Sequence, residues 1–136
     1  MPHTISWLLQ GRIVHTDFYG EMVAEEIQEA TREIIELMDE GDGPLVHVIT
    51  DTTGLGRYLI KVGLVNSSAL DALRHPKMGW SIIISDNNVV KYLSGIVTGI
   101  SRARFRAFGT LEEGLAFLNQ VDSSLPDLLA HEQDDE

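Results

Sequence analysis

The side chains best equipped for chemistry in this chain are five histidines, two serine pairs and one glycine-rich stretch. His3, His15, His47, His75 and His131 show no tight ligand spacing, so no metal site is expected. His47 lies inside an apolar run and reads as a hydrogen-bonded core histidine. His75 stands before Pro76 and reads as part of a helix end. Ser67-Ser68 and Ser123-Ser124 become nucleophiles only with a base beside them, and the G-x-S-x-G elbow is absent from the sequence. Gly54-Leu55-Gly56 lacks the lysine of a phosphate-binding loop and the third glycine of a dinucleotide fold. The chain of 136 residues has no cysteine, which excludes disulfides, thiolate metal sites and thiol catalysis together. These residue types point away from an enzyme and away from a bound cofactor.

Three constellations remain as candidate sites. Arg102, Arg104 and Arg106 form the densest basic cluster, a docking patch for an acidic partner or an anion. Gly95 and Gly99 share one face of a helix and, with Trp80, Leu93 and Ile96, could border a pocket for a small apolar ligand. The stretch Asp51-Thr52-Thr53-Gly54 follows a buried strand, and loops at that end of an α/β sheet line the crevice where partners meet the fold. Asp and Thr oxygens there can satisfy free amides of the next segment, and Gly54 permits a backbone angle other residues avoid.

The elements that carry these residues follow from periodicity. Ile5 to Leu9 alternates with period two, Gln10-Gly11 breaks it, and Arg12 to Phe18 resumes it, which predicts an antiparallel hairpin. Val23, Ile27, Ala30, Ile34 and Met38 make one apolar stripe, predicting a helix from Glu21 to about Asp39. Glu40-Gly41-Asp42-Gly43-Pro44 stops it with a glycine for a left-handed cap. Leu45 to Thr50 is apolar on both faces, as a central strand should be. A loop from Asp51 to Tyr58 then leads to a helix over Leu59 to Leu73. Gly79 to Ser85 reads as a second buried strand, Asn87 to Arg102 as a third helix, and Arg104 to Phe108 as an edge strand. Thr110-Leu111-Glu112-Glu113 is a capping box opening the last helix. The expected fold is therefore α/β: one domain over residues 1–126 with a mixed, mostly parallel sheet of about five strands and four helices, ordered β-β-α-β-α-β-α-β-α. Residues 127–136 read as an acidic, disordered tail.

The formal charge is −11, which argues against nucleic acid as a partner. Eight acids lie between Glu21 and Glu40, while eight of the ten basic residues fall between Arg57 and Arg106. Opposite charges so segregated attract, within the fold or across a homodimer. No apolar run approaches the ~20 residues of a membrane span, and the N-terminus has no secretory pattern. A cytoplasmic location is expected.

Asp51-Thr52-Thr53-Gly54-Leu55 resembles the Asp-Ser-Ser-Gly-Leu signature of the STAS superfamily, typified by the bacterial anti-sigma factor antagonists. The element order is similar too. In that family the first hydroxyl residue is phosphorylated by a partner kinase, which the resemblance carries to Thr52. His75 to Trp80 and Arg104 to Leu118 are closer to the SpoIIAA-like (STAS/SEC14-like) branch. The resemblance covers about Ile5 to Leu118. It implies a non-catalytic regulatory domain acting through a protein partner. The alternative it carries is a binder of a small apolar ligand.

Overall fold

The computed structural model describes residues 3–20, 24–42, 44–54, 75–85 and 105–129. Five strands form one sheet in the spatial order β1-β2-β3-β4-β5: β1 (His3–Leu9), β2 (Ile13–Tyr19), β3 (Val46–Gly54), β4 (Met78–Ile84) and β5 (Phe105–Phe108). β1 is antiparallel to β2, and β2 through β5 are mutually parallel. Two helices are described, α1 (Ala24–Glu40) and α2 (Leu111–Val121). The fold is thus α/β with a mixed sheet, as the alternation of strand and helix patterns predicts. The helices expected over Leu59–Leu73 and Asn87–Arg102 lie outside the described residues.

The hairpin forms where the glycine allows it. Gly11 adopts φ +76, and the Arg12 amide donates to the Leu9 carbonyl at 2.9 Å. A side chain at Gly11 would also strike the Asp42 carboxylate, which sits against the turn.

The two faces of the sheet build two separate cores. On one, Ile34 and Met38 of α1 cover Val14, Val46, Val48 and Met78. On the other, Leu115 and Leu118 of α2 cover Ile13, Ile49, Ile82 and Ile84. β3 is buried from Val46 to Thr50, with Val46 and Val48 in one core and Ile49 in the other. Ala30, Ile34 and Met38 bear out the α1 stripe. α2 opens on the expected cap, with the Glu113 amide donating to Thr110 Oγ1 at 3.2 Å.

The ends of the elements refine three expectations. Of the two glycines available for the left-handed cap, Gly41 does not have a positive φ and Gly43 lies outside the described residues. Lys77 closes that helix end from outside, its Nζ donating to the Gly41 carbonyl at 3.0 Å. His75 holds the same end, with Nε2 on Asp39 Oδ1 at 2.8 Å; the helix expected before it lies outside the described residues. Finally, the chain does not leave the fold at Pro126: Leu125 and Leu128 are buried in the α2-side core, and Asn119 binds the Pro126 carbonyl and the Leu128 amide.

Candidate functional site

Asp51, Thr52, Thr53 and Gly54 are strand, not turn. β3 continues through Gly54, with Asp51 paired to Asp17 on one side and Ile84 on the other. β-branched threonines suit a pleated strand, and two parallel neighbours outweigh the local turn preference of Asp and Gly. An extra β3 residue between Asp51 and Gly54 makes a bulge against Asp17–Tyr19 of β2, which re-aims the side chains there. Thr52 consequently points inward. It is 1% exposed, and its hydroxyl donates to the Ile84 carbonyl at 2.8 Å. Thr53 points outward and folds back on Asp51, whose Oδ1 accepts both its amide at 2.9 Å and its hydroxyl at 2.6 Å. Gly54 ends the strand tightly against β2: a Cβ there would lie 2.9 Å from the Phe18 carbonyl oxygen. Gly20, at φ +69, donates its amide to the Gly54 carbonyl at 3.2 Å.

The result is a polar surface at the carboxyl ends of β2 and β3. Asp17 and Asp51 are register partners in a parallel pair and so stand side by side on the α2 face. Thr53 is exposed beside them. Below, His15 Nε2 is buried with no hydrogen-bond partner, an incomplete arrangement that is rare in a finished interior. Thr16 Oγ1, on the opposite face, is likewise buried and unpartnered.

The other end of the sheet holds a polar group that pattern reading did not assemble. His47 Nδ1 accepts the Trp80 amide at 2.9 Å, and Nε2 meets Asp122 Oδ2 at 2.8 Å. The amide at Nδ1 assigns the proton to Nε2, which donates to the carboxylate. Asp122 Oδ1 accepts the Ser124 hydroxyl at 2.5 Å and amide at 3.0 Å. Arg12 Nη2 donates to Ser124 Oγ at 2.6 Å and reaches Asp122 Oδ2 at 3.5 Å. The Ser124 bonds, opposed by burial and helped by His47, hold the Asp122 carboxyl down at about 2. The carboxylate stands between serine and histidine, so the imidazole does not reach the hydroxyl as a general base would. This group ties the C-terminal end of α2 to the starts of β2 and β3. Gly79 makes room for it, since a Cβ there would lie 2.7 Å from His47 Cε1. The expected core role of His47 is borne out.

A third cluster clasps α1 to the edge strand. His3, 5% exposed, places Nδ1 on Glu26 Oε2 and Nε2 on Glu33 Oε2, both at 2.8 Å. Burial disfavours its charge, but the hydrogen bonds and charges of Glu33 and Glu26 outweigh burial and raise its pKa above 6.5.

Of the remaining candidates, Arg106 is exposed on edge strand β5, its guanidinium 5.5 Å from the Phe117 ring centroid. Trp80 packs edge-on against Phe117 at 4.8 Å and joins the α2-side core. Arg102, Arg104, Leu93, Gly95, Ile96 and Gly99 lie outside the described residues. Among the described residues no group of three or more His, Asp or Glu could hold a metal ion, and no helix is long and apolar enough to cross a membrane. Comparison with family models, with curated proteins and with solved structures finds no match to this chain.

Proposed function

We propose that the chain is a regulatory domain of STAS type, SpoIIAA-like, that works by contact with a protein partner rather than by catalysis. The contact surface is the carboxyl end of β2 and β3, centred on Asp17, Asp51 and Thr53. The observation that carries this reading is the contrast in satisfaction of polar groups. Around Asp51, Thr53 is exposed, the like-charged Asp17 and Asp51 are half-buried, and the His15 Nε2 behind them has no hydrogen-bond partner among the described residues. The histidine–carboxylate contacts elsewhere are occupied in fastening helices to the sheet or closing a helix end. The order of the described elements, an antiparallel hairpin, a helix, then parallel strands and a closing helix, supports the STAS reading beside it.

Within this reading the modifiable hydroxyl is Thr53, because Thr52 is buried and bonded to the β4 backbone. A phosphate on Thr53 would add about −1.5 to −2 charge next to Asp51 and Asp17, enough to break docking by repulsion. The test is affinity capture from a lysate of the source organism with wild type and Thr53→Glu, both checked for folding by circular dichroism. Proteins retained by wild type and lost by Thr53→Glu support the reading. Identical retained sets overturn it.

A further inference from the structure

The two edges of the sheet are protected very differently. β5, at one edge, is four residues long and carries exposed Arg106, as edge strands in natural proteins commonly are: short and charged. β1, at the other, runs seven residues. From Thr4 to Leu9 it has neither a charged residue nor a proline, and its only irregularity is the bulge between Trp7 and Leu9. Among the described residues no strand pairs with its outer side. A long, uncharged edge of this kind is a template for another strand.

Beside this edge lies a cleft of about 330 Å³ between β1 and α1, lined by His3, Ile5, Glu33, Glu36, Leu37 and Glu40. Its floor is apolar and its helix wall is acidic. Glu33 is engaged by His3, whereas Glu36 and Glu40 are exposed and form no ion pair among the described residues. They sit one helical turn apart, about 6 Å along the axis. That matches the roughly 7 Å between alternate side chains of an extended strand.

We propose that β1 and this cleft receive an extended segment of a partner protein that bears Lys or Arg at alternate positions. The segment adds to the sheet through main-chain hydrogen bonds to β1. Its cationic side chains reach Glu36 and Glu40, while its other side chains face away from α1. This cleft is on the α1 face of the sheet, whereas Asp17 and Asp51 are on the α2 face, and the inference does not depend on the function proposed above.

The probes are a fluorescent peptide of about seven residues alternating arginine and valine, a glutamate–valine counterpart, and the arginine peptide with alternate backbone nitrogens methylated. The arginine peptide should bind, weaken with added salt and slow amide exchange within His3–Leu9. Glu36→Lys and Glu40→Lys, on an exposed helix face where the fold tolerates them, should each weaken it about fivefold. The glutamate and N-methylated peptides should not bind. The proposal is overturned if the arginine peptide fails to bind, if N-methylation or both charge reversals leave binding unchanged, or if the β1 amides stay unprotected. It is also overturned if sedimentation shows self-association that Glu36→Lys abolishes and the peptide cannot displace, because the edge then belongs to a second copy.

Discussion

The two ends of the parallel sheet are built from similar residues to opposite effect. At the amino end His47, Asp122, Ser124 and Arg12 bond to one another and to the Trp80 amide until the carboxylate and the imidazole are both engaged. At the carboxyl end Thr53 is exposed and Asp17 and Asp51 are half-buried, and among the described residues His15 Nε2 beneath them has no partner. Composition does not separate them, since each has a histidine, a carboxylate and a hydroxyl. Among the described residues, what differs is that a helix end completes the set at the amino end. α2 ends over the starts of β2 and β3 and does so there. A completed set contributes stability; an exposed one is left for recognition.

This contrast can be broken by substitution. The largest effect is expected for His47→Ala, which strands the Trp80 amide and the Asp122 carboxylate and empties a fully enclosed site. It should cost about 3 kcal/mol in denaturant unfolding. Next comes acid. The Asp122 carboxyl sits at about 2 against its ordinary 3.8, so its contribution is complete above pH 3.8 and is lost as pH falls toward 2. Solvent screening keeps the contribution below about 2 kcal/mol, and Asp122→Asn should flatten that part of the pH–stability curve. Thr52→Val removes the hydroxyl from the Ile84 carbonyl and should cost about 1 kcal/mol.

A smaller, oppositely signed pH response is expected where His3 clasps α1, beside the carboxyl end of β2. Its pKa is raised, so its stabilisation is complete below pH 6.5 and is lost as pH rises through the raised value. His3→Gln should abolish this alkaline loss, and imidazole NMR titration reads the group directly. Smallest of all, Thr53→Val should change stability by no more than about 0.5 kcal/mol. If it instead costs as much as His47→Ala, the two ends are not different in kind.

Much of this architecture could be read along the chain. The hairpin around Gly11, the Ala30–Ile34–Met38 stripe and the Thr110 cap each rest on residues within a few positions of one another. The Asp51 stretch misled because Asp, Thr and Gly are all good turn formers locally, while the pairing that makes them strand comes from residues 34 and 33 positions away in β2 and β4. Glycine at position 79 carried a usable signal: a small residue opening a buried strand marks a close approach, here by the His47 ring.

Periodicity and capping chemistry were enough to establish an α/β chain with an antiparallel opening hairpin, because those signals act over one turn of helix or one pleat. Which threonine is buried, which histidine has its pKa raised and which long sheet edge has no partner strand among the described residues were decided only in the folded molecule. Each depends on groups brought together from distant parts of the chain: Asp122 to His47, Glu26 and Glu33 to His3, and Ile84 to Thr52. A side chain's protonation and exposure are set by its neighbours in space, and no short-range pattern records who those neighbours are.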